Sequence, residues 1–159
     1  MIHVGLSEIK YAEIPETLRS MGLGSCVGVI IYHESGGIAG MAHVMLPDSS
    51  LARSNSFLLG KYADTAVPAL VETLTAKGVS ISRLRAKLAG GAEMFRSTRK
   101  LPMGSIGSRN TKAVHAQLER FHIPIVAEET GADYGRTIEF ITATQTLVIR
   151  AINQEERII

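Results

Sequence analysis

Only one of the 159 residues is a cysteine, Cys26, so the chain can form neither an internal disulfide nor a cysteine-rich zinc site. Tryptophan is absent and aromatic residues amount to 5%, too few for the stacking platforms that grip single-stranded nucleic acid. No stretch approaches the roughly eighteen apolar residues of a membrane-spanning helix, so insertion into a bilayer is not expected. Met1 to Lys10 lacks the apolar centre of a secretory signal. The expected location is therefore the cytoplasm, where a lone thiol stays reduced. The five histidines, His3, His33, His43, His115 and His122, lack the helical spacing with an acidic neighbour that zinc sites use. No metal and no cofactor are expected.

Net charge is also small, +2. Basic residues gather in two places, Arg83, Arg85 and Lys87, then Arg96, Arg99 and Lys100. Such runs ordinarily form a solvated face, and less often a docking surface for an acidic partner. Without a basic helix or a nucleic-acid motif, neither DNA nor RNA is an expected partner.

What remains is an ordinary globular balance, 45% apolar and 20% charged, in a length that suits one domain over residues 1–159. Val27 to Tyr32 is a β-branched run and Ile38 to Leu46 a second apolar run, with the turn composition His33-Glu-Ser-Gly-Gly37 between them. This reads as a buried β-hairpin, ended by Pro47-Asp48-Ser49-Ser50. From about Ser54 to Lys77 the period becomes helical, with Val67, Leu70, Val71 and Leu74 in one stripe. Gly78 supplies the C-terminal cap, and Pro68 implies a kink or a helix start near it. Arg85 to Ala89 suits a short strand running into Gly90-Gly91. A second helix is expected from Ser108 or Asn110 as cap, carrying Val114, Leu118 and Phe121 inward. Strands follow over residues 123–128, 136–142 and 146–151. This order predicts an α+β fold, layered mixed sheets of β-sandwich type flanked by helices, and not a doubly wound sheet.

Chemistry concentrates between Ser20 and Pro47. The cysteine follows a Gly22-Leu-Gly-Ser25 turn and precedes a strand. Glycines there keep the thiol reachable and free backbone N–H groups, those of Gly24 and Ser25 among them, to face a bound carbonyl as an oxyanion hole requires. If the hairpin turn centres near Ser35, two of three plausible registers place His43 on the same face as Cys26, directly opposite or roughly 7–8 Å away on the diagonal. The third register sends His43 to the other face. A free thiol is only about 3% ionised at pH 7, so an adjacent imidazole that takes its proton is what turns it into a nucleophile. The imidazole needs a partner on its far nitrogen, and Ser20 is the candidate. Each residue has an ordinary use too: Cys26 and His43 as core residues, Ser20 as a turn residue. Spacing alone supports no more than a possible cysteine hydrolase.

The same residues resemble a known family. Gly22-Leu-Gly-Ser-Cys-Val-Gly28 with Gly40-Met-Ala-His-Val-Met-Leu-Pro-Asp48 is similar to the CheD chemoreceptor deamidases. The likeness continues through Lys61 to Pro68, Ala89 to Phe95, Ile106 to Asn110 and Gly131 to Thr137. The resemblance implies a protein-glutamine glutaminase that converts chemoreceptor glutamines to glutamates through a Cys thioester. It implies Cys26 as nucleophile, His43 as base, and Ser20 at a third position that is typically Thr. Ser108 stands where Glu is frequent, and Gly131-Ala132 where a glycine pair is common. It further implies a fold like the catalytic domain of cytotoxic necrotizing factor toxins, and a CheC-type phosphatase as second partner. The alternative is a binding module that retains the fold without the chemistry. A cysteine peptidase ranks lower, because no Trp follows the cysteine and no downstream catalytic Asn signature is present. Met21, Met41 and Met45 are expected mainly in the core, less as a docking surface.

Overall fold

The computed structural model describes residues 1–94 and 104–159. Ten strands and two helices succeed one another: β1 (Ile2–His3), β2 (Ile9–Glu13), β3 (Thr17–Leu23), β4 (Val27–His33), β5 (Ile38–Val44), α1 (Ala63–Ala76), β6 (Leu84–Gly90), α2 (Ile106–Arg120), β7 (Ile125–Thr130), β8 (Arg136–Ile141), β9 (Thr146–Arg150) and β10 (Arg157–Ile158). The strands form two mixed five-stranded sheets, ordered β1-β3-β8-β9-β10 and β2-β5-β4-β6-β7.

Strand periodicity decides the layering. Along β4, Val27, Val29 and Ile31 pack with α1 residues such as Val67, Leu70 and Leu74 and with Val114 and Leu118 of α2. The alternate residues Ile30 and Tyr32 pack with Leu18, Leu23, Ile138 and Phe140 of the other sheet. The second sheet is therefore covered on both faces, which is why β4 and β5 read as continuous apolar runs and not as alternating ones. The α+β expectation holds, as does the hairpin. The three later strands are present with ends shifted by up to two residues.

Four differences from the sequence reading are instructive. The strands β1, β2, β3 and β10 were not expected; they are short or carry exposed polar residues such as Lys10 and Glu13. The first helix begins at Ala63 and not near Ser54, because the chain before it pairs with the end of β5. Met45 and Leu46 both donate their N–H to the Lys61 carbonyl (2.9 and 3.0 Å) and Tyr62 bridges Leu46. The helix neither starts nor stops at Pro68, which lies inside it. The cap of α2 is neither Ser108 nor Asn110 but Ser105, whose hydroxyl accepts from the Ser108 N–H at 3.2 Å.

The expected stripe of α1 is buried throughout, and Gly78 (φ 96°) ends the helix, with Val79 N–H reaching back to the Leu74 carbonyl. The first basic cluster is a solvated face only in part: Arg83 is exposed, Arg85 half-buried and Lys87 buried. Arg83 and Arg85 both pair with Glu34 (2.7 and 2.6 Å), and the Lys87 ammonium is turned inward onto the Gln145 and Ile159 carbonyls. Arg96, Arg99 and Lys100 lie outside the described residues, as does Phe95. Neither α1 nor α2 is long and apolar enough to cross a membrane.

Candidate active site

The β4–β5 register pairs Gly28 with His43 and Val27 with Val44. Continued by one residue, it sets Cys26 opposite Met45 and makes His43 the diagonal neighbour of Cys26 on the same face. This is one of the two registers that keep thiol and imidazole together. That face points at the other sheet, and Cys26, half-buried, packs against the inter-sheet core. Gly28 is the residue opposite His43, and a Cβ there would come within 2.5 Å of Ile138 Cδ1 and 3.2 Å of Leu23 Cδ1. With glycine there, Ile138 and Leu23 fill the space between the sheets.

Ser20 lies on β3, in the opposing sheet, and is fully buried beside His43, which is 1% exposed. Its Oγ stands 2.8 Å from His43 Nδ1 and 2.8 Å from the Val4 carbonyl. A carbonyl only accepts, so the single hydroxyl proton goes to Val4, and Oγ in turn accepts from Nδ1–H. This settles the tautomer: Nδ1 carries the proton and Nε2 a bare lone pair. Nε2 is buried and has no hydrogen-bond partner among the described residues. Val4 is the participant that the sequence reading missed. It follows β1, whose parallel pairing (His3 with Arg19) brings it level with Ser20, and no local sequence pattern marks it.

Burial governs both titrations. It pushes the Cys26 thiol above its ordinary value, with the residue's own backbone N–H acting the other way. It also pushes the His43 imidazole below its ordinary value, against the opposing pull of the Val4 carbonyl. An apolar environment favours the neutral form of each. The resting pair is therefore a neutral thiol and a neutral imidazole. Among the described residues no cation offsets the burial of the sulfur.

The turn before the cysteine is held from outside. Ala92 N–H donates to the Gly24 carbonyl (2.9 Å), Asn110 Nδ2 to the Ser25 carbonyl (3.0 Å), and Gly91 N–H to the Cys26 carbonyl (2.8 Å). The N–H groups of Gly24 and Ser25 have no acceptor among the described residues, and that of Cys26 none but its own sulfur. Gly90 (φ 115°) makes this closure possible, since a Cβ there would overlap the Cys26 carbonyl oxygen. Of the three methionines, Met41 is buried in the core and Met45 half-buried, accepting from the Ser7 hydroxyl at 3.0 Å. Met21, 54% exposed, is at the surface and not in the core. Among the described residues no three His, Cys, Asp or Glu side chains cluster as metal ligands do.

A nucleophile candidate, an oriented imidazole and unpaired N–H groups at a tight turn form a cysteine-hydrolase arrangement. Comparison with known proteins gives the family. The family described as "CheD chemotactic sensory transduction" matches residues 45–151. A protein of Geobacillus kaustophilus named "Probable chemoreceptor glutamine deamidase CheD" is 52% identical over 155 residues, covering 97% of this chain and 94% of its own. The chain belongs to the CheD family. Two further CheD relatives, each named "Chemoreceptor glutamine deamidase CheD", come from Bacillus subtilis and Halalkalibacterium halodurans. Both are 45% identical, covering 100% and 99% of this chain and 96% and 97% of their own. Among solved structures, Bacillus licheniformis hypothetical protein YfiH superposes with a TM-score of 0.49 at 13% identity, over 79% of this chain and 49% of that one. That likeness is too slight to bear on the fold of the CheD chain or on its chemistry.

Proposed function

We propose that residues 1–159 form one chemoreceptor glutamine deamidase domain, acting on the cytoplasmic side of the membrane with Cys26 as nucleophile, His43 as base and Ser20 as the residue that orients it. The observation that carries this reading is the Val4–Ser20–His43 chain of hydrogen bonds, which leaves a bare Nε2 on the face that also bears Cys26. Relatives that cover nearly the whole chain bear the name of that activity.

The neutral resting pair favours general-base attack over a preformed ion pair. As the sulfur of Cys26 bonds to the side-chain carbon of a receptor glutamine, its proton passes to Nε2 of His43. The carboxamide oxygen takes up the developing charge, facing the N–H groups of Ser25 and Cys26, with that of Gly24 adjacent. The imidazolium is supported by Ser20 Oγ through Nδ1–H. It returns its proton to the departing nitrogen, the C–N bond breaks, ammonia leaves, and a thioester remains. His43 then takes a proton from water, the hydroxide attacks the thioester carbon, and the C–S bond breaks with the proton returned to sulfur. The product is glutamate, one negative charge more than before on the receptor.

The fold proposed from the resemblance, that of the cytotoxic necrotizing factor catalytic domain, is consistent with two stacked sheets and a nucleophile at the start of a strand. A CheC-type phosphatase is proposed as second partner. Met21 and Met94, 54% and 45% exposed, are apolar surface beside the nucleophile turn, with Met94 Cγ lying 3.3 Å from where a Cβ on Gly24 would stand. A second reading, a binding module without turnover, has one observation in its favour, the upward push on the thiol.

The deciding experiment is mass spectrometry of a chemoreceptor cytoplasmic fragment incubated with the protein and with Cys26→Ala. A gain of about one dalton per modified glutamine, confined to the intact thiol, is the expected result. Deamidation by Cys26→Ala would overturn the assignment. Receptor binding without deamidation by either protein would establish the binding module instead.

A further inference from the structure

A trans peptide points its C=O and its N–H in opposite directions. Whatever holds the carbonyl of Ser25 therefore aims the N–H of Cys26. Asn110, a fully buried residue in the second turn of α2, is the only side chain among the described residues that touches one of the three carbonyls at this turn. Its Nδ2 donates to Ser25 (3.0 Å) and also to Met45 (2.9 Å), the residue that stands opposite Cys26 when the β4–β5 register is continued. One amide group thus ties the nucleophile turn to the strand that carries His43. Both contacts require Nδ2 at that place, because the oxygen of a flipped amide would face two carbonyl oxygens.

The other end of the side chain has no such return. Asn110 Oδ1 is buried and has no partner among the described residues, a cost that a residue of purely structural use seldom bears. The N–H of Cys26, on the side of its peptide away from Asn110, favours the ionised sulfur and has no other acceptor among the described residues.

We infer that Asn110 is a positioning residue for the deamidation, which fixes the Ser25–Cys26 peptide so that the Cys26 N–H serves both the sulfur and the oxyanion. This rests on the deamidase reading for the oxyanion, but not for the sulfur.

The test compares wild type with Asn110→Ala, Asn110→Asp and Asn110→Ser, each verified as folded by circular dichroism. Deamidation of a chemoreceptor fragment is measured as kcat and KM, and the pH profile of iodoacetamide alkylation of Cys26 is recorded separately. With the peptide released, kcat is expected to fall about 10²-fold while KM changes by less than about threefold, as loss of an oxyanion donor does. The alkylation inflection is expected to rise by about 0.5–1 pH unit, as loss of one hydrogen bond to the thiolate requires. Asn110→Ser, with one donor in place of two, should lie between, and it decides the matter if the other two variants do not fold. A lower melting temperature with kcat per folded molecule and alkylation inflection both unchanged would reduce Asn110 to a structural role and overturn the inference. If wild type itself does not deamidate, the deamidase reading fails. The alkylation profile then still decides what Asn110 does for the sulfur.

Discussion

The hydroxyl at position 20 is tested most cleanly at constant shape, by comparing Ser20→Thr with Ser20→Val. Both add volume to the same buried place, but only threonine keeps the oxygen that accepts from His43 Nδ1 and donates to Val4. With no exposure to solvent at this residue, valine leaves an N–H and a carbonyl unpaired. Each such orphan costs about 1–3 kcal/mol, so Ser20→Val should be some 2–6 kcal/mol less stable than Ser20→Thr. At about 2–4 °C per kcal/mol for a chain of this size, the two melting temperatures should differ by roughly 4–24 °C. The chemical effect is separate. Without the acceptor on Nδ1 the imidazole can carry its proton on Nε2 instead, the tautomer that cannot take a proton from sulfur. Deamidation by Ser20→Val, measured by mass spectrometry well below its melting temperature, should fall at least about 10²-fold in kcat. Ser20→Thr should remain close to wild type. If valine and threonine gave the same kcat on folded protein, Ser20 would have no part in orienting His43, and the tautomer argument would be refuted.

Three further outcomes follow from the same geometry. Because burial holds the His43 pKa below its ordinary value, the acid limb of kcat/KM for deamidation should inflect below about pH 6.5; an inflection at or above that value would contradict the burial argument. The same shift acts on stability. The unfolded chain takes up this proton first, so stability is present above about pH 6.5 and is lost as pH falls below it, at up to about 1.4 kcal/mol per pH unit until the folded pKa is reached. His43→Gln should flatten that slope in denaturant titrations at successive pH values. Finally, Gly28→Ala should cost about 1–3 kcal/mol, because the new methyl overlaps the buried Ile138 and presses on Leu23, both of which must shift within the core. A melting temperature within about 2 °C of wild type would show that the sheets can part there at no cost.

Much of the second sheet was legible because burial on both faces writes itself into composition. The β4 and β5 runs, the α1 stripe and the Gly78 cap are local signals, and the structure has them where they were expected. The N-terminal strands were not legible. In β2 and β3 exposed Lys10, Glu13 and Met21 interrupt the apolar pattern, and their pairing partners lie far along the chain, Ala42 for Ile9 and Ile138 for Ser20. The start of α1 was misread for a related reason: of the nine residues expected ahead of Ala63, Lys61 and Tyr62 pair with Met45 and Leu46, a long-range contact that their own propensity does not announce. Asn110 was misread in the opposite sense. Its residue type suits a helix cap, but Ser105 takes that place and the amide is used under the nucleophile turn.

By itself, the sequence determined the ingredients: one thiol between glycines, one histidine on the returning strand, and a period that keeps them on one face in two registers of three. Only the tertiary structure decided the register, the tautomer and the protonation state. Each of these depends on groups from distant parts of the chain, such as the Val4 carbonyl, the Ser20 hydroxyl of the opposing sheet, and the apolar layer that closes over both. A hydrogen bond chooses its donor, and an apolar layer shifts a pKa, only once the partners have been brought together.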